Sequence, residues 1–129
     1  MFHHIGLRSQ HPDALIAFYE AALQPLGYSK LAAYGGGAGF GEGDRASFWI
    51  DAASLWVGTS LETSSVHLAF SCRDRRYVDA FFEAAIAAGG KHNGAPGLRS
   101  QYHPSYYAAF VIDPDGNNIE AVCCEERND

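Results

Sequence analysis

The chain has 129 residues, 47% of them hydrophobic, with a formal net charge of −6 and a pI of about 5.4. This length and composition predict one compact domain with a sizeable buried core. The acidic balance and the lack of any Lys/Arg block argue against a nucleic-acid or anionic-membrane partner, and no apolar run approaches the roughly 20 residues that span a bilayer.

The first residues and the cysteines both favour a cytoplasmic location. The N-terminal MFHHIGLR has neither the cationic start nor the apolar stretch of a secretory signal. The three cysteines Cys72, Cys123 and Cys124 are odd in number and lack C-x-x-C spacing. They therefore predict neither a disulfide framework nor a zinc site, and a reducing compartment agrees with both absences.

Two segments of the chain repeat each other at a constant offset. HIGLRSQHPDALIAFYEAALQPLG at residues 4–27 aligns without a gap with HLAFSCRDRRYVDAFFEAAIAAGG at residues 67–90, with seven identities in 24 positions. His4 falls on His67 in this alignment, and Gly27 falls on Gly90. The repeat predicts two structural copies, at about residues 1–62 and 63–129, within one domain.

Each copy of the repeat is predicted to form a strand, then a helix, then three short strands. In the first copy, alternation at 5–7 indicates a strand and Pro12 opens a helix, and in the second copy Asp74 is the predicted N-cap and Gly89 the stop signal. The strands predicted after the two helices are 28–34, 38–42 and 46–50, then 97–102, 106–112 and 117–123. The fold class is therefore α+β, with two βαβββ units in a mixed sheet and the helices outside.

The Gly-rich segment GGGAGFGEG at residues 35–43 lacks the Lys-Ser/Thr of a phosphate-binding loop. It predicts instead a mobile flap or a loose hairpin.

The open sheet predicted for each unit leaves unpaired edges that another chain would cover, so a homodimer is expected.

The segment DPDGN at residues 113–117 predicts a tight hairpin near the C-terminus. Pro-Asp suits the centre of a type I turn, and the following glycine suits the left-handed bulge position. This connection sets Phe110 opposite Glu120 and places Tyr106 on the same face of the sheet. Glu120 is therefore a carboxylate in an otherwise hydrophobic strand.

A histidine in a similar setting interrupts VHLAF at residues 66–70. Strand side chains alternate, so His67 shares a face with Ala69 while the apolar residues face the other way. His4, His67 and Glu120 together make a set of two imidazoles and one carboxylate, which suits one divalent transition metal: Fe, Mn, Zn or Ni. The alternative is that each of the three is a polar residue satisfied by ordinary hydrogen bonds. Packing of two similar cores would not, however, require a histidine at the same position of both copies.

Three further side chains near the end of the chain are candidates for contact with a small-molecule substrate. Tyr106 would orient a substrate oxygen, or it fills space as a strand aromatic. In GLRSQYHPSYY, Arg99 would supply an anion contact and His103 a proton shuttle; the alternative for both is solvated surface.

The doubled unit, HIGL near the start, HLAF in the middle and DPDGNNIEAV at the end resemble the vicinal oxygen chelate superfamily. This is the glyoxalase, bleomycin-resistance and extradiol-dioxygenase group, and the resemblance covers essentially the whole chain. It implies a cup built from two curved half-sheets, with His4, His67 and Glu120 as metal ligands inside it.

Two positions depart from the patterns of particular family members. Glyoxalase I has a fourth ligand, a carboxylate in the last strand of the first unit, where this chain has Trp49, or Val57 if the ungapped repeat is extended. The resemblance therefore does not imply lactoylglutathione lyase activity. The position of the catalytic tyrosine in extradiol dioxygenases is occupied by Phe110 in this chain. Phe110 is therefore predicted to contact the substrate without a catalytic role.

The sequence accordingly predicts a metal-dependent enzyme acting on a small substrate with two adjacent oxygens. It would be a glyoxalase-like lyase or isomerase, or a ring-cleaving dioxygenase, with Glu120 and Tyr106 as catalytic residues. The alternative is a protein that binds a drug or metabolite in the same cup without turnover.

Overall fold

A computed structural model describes residues 2–52 and 64–125, without the side chain of Tyr34. Two modules of the same design follow each other along the chain. The first contains β1 (Ile5–Ser9), α1 (Pro12–Ala22), a 3-10 turn (Gln24–Leu26), β2 (Ser29–Tyr34), β3 (Gly37–Gly41) and β4 (Phe48–Ala52). The second contains β5 (His67–Ser71), α2 (Arg75–Ala87), β6 (Lys91–Leu98), β7 (Tyr107–Ile112) and β8 (Asn118–Cys123).

Each module forms its own four-stranded mixed sheet with the same strand order. The first sheet has the order β1-β4-β3-β2, and the second has β5-β8-β7-β6. In both, the outer first strand pairs in parallel with the last strand, and the remaining pairs are antiparallel. The predicted α+β class with two βαβββ units is thus confirmed.

The helices begin and end where the local sequence predicts. Pro12 starts α1, and the Asp74 carboxylate caps α2 by accepting a hydrogen bond of 2.9 Å from the Arg76 backbone N–H. Gly89 follows α2 with a positive φ of 99°, which favours glycine. Neither helix of the described residues has the length or apolar composition needed to cross a membrane.

The core lies between the helices and one face of each sheet. Leu15 and Phe18 of α1, and Val78 and Phe81 of α2, are fully or almost fully buried. The helix-facing strand residues, as the alternation predicts, are also buried: Ala109, Val111, Ile119 and Ala121. The opposite faces of β1 and β5 stay open, since Gly6 and Ala69 are exposed.

One prediction about the strands was wrong, and one about the Gly-rich loop is confirmed in part. The strand expected at 97–102 is instead β6, at Lys91–Leu98, whose Gly-rich sequence lacks an alternating pattern. The hairpin alternative for the segment 35–43 is confirmed in a tight form, because Gly35 and Gly36, both with positive φ, form a two-residue turn that pairs Tyr34 with Gly37.

Candidate metal centre

His67 and Glu120 meet on the open face of the second sheet. The parallel register of β5 and β8 sets Ala69 beside Glu120, and it brings His67 Nε2 to 3.1 Å from Glu120 Oε1. The other ring nitrogen, Nδ1, lies 3.0 Å from the backbone carbonyl oxygen of Asn118. A carbonyl only accepts, so Nδ1 donates to it, and in the neutral tautomer that this bond selects, Nε2 presents a lone pair.

Glu120 is a buried carboxylate, with only 2% of its surface exposed. A buried charge requires partners, and Tyr106 provides one by donating its hydroxyl hydrogen to Oε2. Burial, the hydrogen bond to Glu120 and the charge of that carboxylate raise the pKa of Tyr106 to about 12. The phenol therefore stays protonated at neutral pH and acts as a donor.

The facing atoms of His67 and Glu120 are both acceptors when the imidazole is neutral. Either a proton on Nε2 or a cation must lie between them. Metal bonds of about 2.0–2.2 Å at a right angle place two ligand atoms about 3 Å apart, which agrees with the observed 3.1 Å. The carbonyl of Asn118 and the hydroxyl of Tyr106 also supply the outer hydrogen bonds that orient such ligands. The pair therefore fits two ligand positions of a divalent transition metal.

His4 does not join this pair within one chain. It lies just before β1, with Nδ1 2.9 Å from Nδ1 of its neighbour His3, and it lines a groove of about 250 Å³ with Ala69 and Ser71. Burial raises the pKa of Asp51, and His4 opposes that shift. Among residues 2–52 and 64–125, no three His, Cys, Asp or Glu side chains could hold a metal ion. The set of three metal ligands therefore remains a prediction, because the described residues of one chain do not bring these three side chains together.

Trp49 occupies the place in the first module that Glu120 occupies in the second. Gly6 pairs with Trp49 in β1 and β4, just as Ala69 pairs with Glu120. The indole lies against Gly39, where an added Cβ would be 2.7 Å from its Cζ3 atom. The register thus confirms Trp49 as the counterpart of Glu120, so this position has no metal-ligating atom. The other candidate, Val57, lies outside the described residues.

Phe110 and Arg99 lie on the same face as the His67–Glu120 pair. Phe110 pairs with Glu120 across β7 and β8, and its ring stacks on that of His67 with centroids 6.2 Å apart. The guanidinium carbon of Arg99 lies 5.4 Å from the centroid of the Phe110 ring. The structure therefore places Phe110 and Arg99 next to the pair in one continuous surface.

His103 lies in the loop between β6 and β7, where its backbone is hydrogen-bonded to Arg99 and Tyr106. Its side chain is exposed, and Nδ1 accepts a hydrogen bond of 3.1 Å from the Ser105 backbone N–H. The ring thus stabilises the loop, and its role as a proton shuttle stays a prediction. Sequence reasoning missed Asn118, because its contribution is a backbone carbonyl that no side-chain pattern could reveal.

The two βαβββ modules define the fold of the chain, and the His67–Glu120 pair on an open sheet face defines its candidate site. A model of the Glyoxalase/Bleomycin resistance protein/Dioxygenase superfamily matches residues 1–121, and the chain belongs to this superfamily. A comparison with curated protein sequences gave no match.

Solved structures of several bacterial proteins share the fold. A glyoxalase/bleomycin resistance protein from Albidiferax ferrireducens is 26% identical, with a TM-score of 0.77, and the match covers 95% of this chain and 98% of that one. A glyoxalase/bleomycin resistance protein/dioxygenase family enzyme from Burkholderia phytofirmans is 22% identical, with a TM-score of 0.72 and the same coverage. A lactoylglutathione lyase from Agrobacterium tumefaciens is 17% identical, with a TM-score of 0.69, covering 95% and 92% of the two chains.

Proposed function

We propose that the protein is a metal-dependent enzyme acting on a small substrate with two adjacent oxygen atoms. The reaction would be that of a glyoxalase-like lyase or isomerase, or of a ring-cleaving dioxygenase. One divalent transition metal (Fe, Mn, Zn or Ni) would be held by His67, Glu120 and His4. The observation that carries the proposal is the His67–Glu120 pair, with Nε2 and Oε1 3.1 Å apart and each side chain held by a second hydrogen bond.

We also propose that His4 comes from a second copy of the chain, in a homodimer. His4 is not with the pair in its own chain, and β1 and β5 are both edge strands of their sheets. Unpaired edges favour covering by another chain. A symmetric dimer would bring β1 of each copy to the open face of the other, which completes two equivalent sites.

The side chains around the pair have distinct roles in this proposal. When bound, the metal would polarise the two substrate oxygens and stabilise negative charge on them. The Asn118 carbonyl fixes the tautomer of His67. Tyr106 keeps its proton at neutral pH and holds Oε2 of Glu120, which leaves Oε1 facing the metal position. The Glu120 carboxylate would also be the proton acceptor for a substrate carbon, through a lone pair that the metal does not take. Phe110 supplies an apolar wall beside His67.

Metal content tests the proposal directly. Protein expressed with ample metal should contain about one divalent ion per chain, and His67→Ala and Glu120→Gln should each lose it. His11→Ala is the matched control, because His11 is also exposed but does not belong to the pair and falls on Asp74, not on a histidine, in the second copy of the repeat. Wild-type protein without stoichiometric metal would overturn the enzymatic proposal.

Mixing two inactive variants tests the shared site. His4→Ala and His67→Ala should each bind little metal, but unfolding and refolding them together should restore about a quarter of the sites. Half of the dimers would then be mixed, and one of the two sites in each would be intact. If all three ligands came from one chain, mixing would restore none.

The second candidate is a protein that binds a drug or metabolite without turnover. It is favoured by the direct contact between His67 and Glu120, which can satisfy each other through a shared proton. Tight ligand binding by metal-free protein, unchanged in Glu120→Gln, would support this function over the enzymatic one.

A further inference from the structure

Two glycines of β6 make room for an arginine on the ligand-bearing face of the second sheet. A Cβ added to Gly94 would lie 2.9 Å from Phe110 Cδ2 and 3.1 Å from Arg99 Nη2. A Cβ added to Gly97 would lie 3.2 Å from Arg99 Nη1. Because these side chains are absent, Arg99, which follows β6, folds back along that strand and places its guanidinium over the Phe110 ring.

The guanidinium group of Arg99 is held at three points. Nη1 donates a hydrogen bond of 2.9 Å to the Gly97 carbonyl, and Nη2 donates one of 2.8 Å to the Ala95 carbonyl. Its carbon lies 5.4 Å from the Phe110 ring centroid, within the range of a cation–π contact. The group is therefore fixed before any ligand arrives, which lowers the entropic cost of binding one.

The positive charge of Arg99 has no anionic partner among the described residues. The ion pairs between described side chains include Lys30–Glu20, His67–Glu120 and Arg76–Asp74, and none of these involves Arg99. A guanidinium has five N–H donors, and the two carbonyl bonds leave three of them for a ligand. An oxyanion group with two oxygens on one atom matches this planar fork.

Arg99 also lies at a suitable distance from the proposed metal ligands. Arg99 and His67 both contact the Phe110 ring, at 5.4 Å and 6.2 Å from its centroid respectively. The guanidinium carbon is therefore within about 12 Å of the imidazole centroid. A small molecule can contact both groups at once across the Phe110 ring.

We propose that the substrate carries an oxyanion group, a carboxylate or phosphate, which Arg99 binds while the two adjacent oxygens lie at the His67–Glu120 pair. This inference rests on the proposed function for the position of the adjacent oxygens. It narrows the substrate class to small anionic compounds with two neighbouring oxygens. It also makes Arg99 a specificity-determining residue.

A series of catechols that differ in an attached carboxylate tests this inference. Dissociation constants are measured for Mn(II)-loaded protein with catechol, protocatechuate, homoprotocatechuate and dihydrocaffeate, which place the carboxylate at increasing distance from the same diol. At least one of the acids should bind about fivefold to twentyfold more tightly than catechol, and the advantage should shrink at high salt. Arg99→Met should remove the advantage, Arg99→Lys should keep part of it, and the control Arg73→Met, at an exposed position before α2, should keep all of it.

The outcomes separate this inference from the proposed function. If catechol binds but no acid is preferred, or if the preference survives in Arg99→Met, Arg99 is not the oxyanion site while the metal site stands. If neither catechol nor any of the acids binds the Mn(II)-loaded protein, the ring-cleaving form of the proposed function fails. The oxyanion site is then judged on metal-free protein, where benzoate or inorganic phosphate should shift the NMR signal of Arg99 Nε. No shift with either anion would overturn the inference, and a shift with phosphate alone would identify the phosphate as the preferred group.

Discussion

Tyr19 on the first helix donates a hydrogen bond of 2.5 Å to Asp113 in the last hairpin, and this bond joins the two modules inside the core. Both groups are buried. The same Asp113 oxygen, Oδ2, accepts from the Asn117 side-chain amide at 2.8 Å, while Oδ1 accepts from the backbone N–H groups of Asp115 and Asn117. Asn117 in turn accepts from the Val66 backbone N–H at 2.9 Å. The position of the first module relative to the start of β5 depends on this network.

Tyr19→Phe should therefore destabilise the protein by about 1–3 kcal/mol, because it leaves a buried carboxylate short of one partner. Urea unfolding followed by circular dichroism measures the change in the free energy of unfolding. Tyr77→Phe, at an exposed position on α2, is the control and should be neutral. An equal effect of the two substitutions would show that the Tyr19–Asp113 bond does not stabilise the fold.

The same pair should make stability depend on pH in the alkaline range. Burial and the neighbouring Asp113 carboxylate raise the pKa of Tyr19 far above its ordinary value of 10.0. Below about pH 10 its contribution is complete; above it, the unfolded state loses the phenolic proton while the folded state keeps it, so stability falls as pH rises. The difference in free energy of unfolding between wild type and Tyr19→Phe should then shrink by about 1.4 kcal/mol per pH unit. A difference that stays constant between about pH 9 and pH 11 would contradict this.

Local chemistry made the last hairpin and the strand faces predictable. In the segment at residues 113–117, the Asp113 backbone N–H donates to the Asn117 carbonyl at 2.9 Å, and Gly116 has a positive φ of 88°. This turn fixes the register that sets Phe110 opposite Glu120. Each step depends on residues close in sequence, so the placement of Glu120 on the ligand-bearing face followed from the sequence.

The position of β6 could not be predicted from its own sequence. KHNGAPGL contains two glycines and a proline, and it shows no apolar alternation. Its glycines are explained only by the side chains of Phe110 and Arg99 that lie on them, which is a tertiary relationship. Whether His4 meets His67 was equally beyond a repeat pattern, because the repeat describes each module and says nothing about how the two are packed.

Tyr106→Phe should weaken metal binding while the fold stays intact. The hydroxyl of Tyr106 holds Oε2 of Glu120, and loss of such an outer hydrogen bond typically costs about 10-fold to 100-fold in metal affinity. Titration with Mn(II) or Zn(II) measures the change. Tyr102→Phe is the matched control, because Tyr102 packs against the Tyr106 ring at 5.3 Å and is mostly exposed. Equal affinities in the two variants would mean that Tyr106 does not position the carboxylate.

Gly39→Ala should displace the indole of Trp49. The new methyl carbon would lie 2.7, 2.8 and 2.9 Å from Cζ3, Cη2 and Cε3 of that ring, closer than such atoms approach in proteins. The ring must move or the sheet must shift, at a cost of about 1–3 kcal/mol. With Trp56→Phe also present, Trp49 is the remaining tryptophan. Gly39→Ala should then shift the wavelength of its fluorescence emission and lower the denaturation midpoint of the protein. Gly6→Ala is the control, since its added carbon would meet only Asp51 Oδ2 at 3.3 Å and Trp49 Cβ at 3.9 Å, and it matches Ala69 in the second module. If Gly39→Ala left both the emission and the midpoint unchanged while Gly6→Ala altered them, Trp49 would not lie against Gly39.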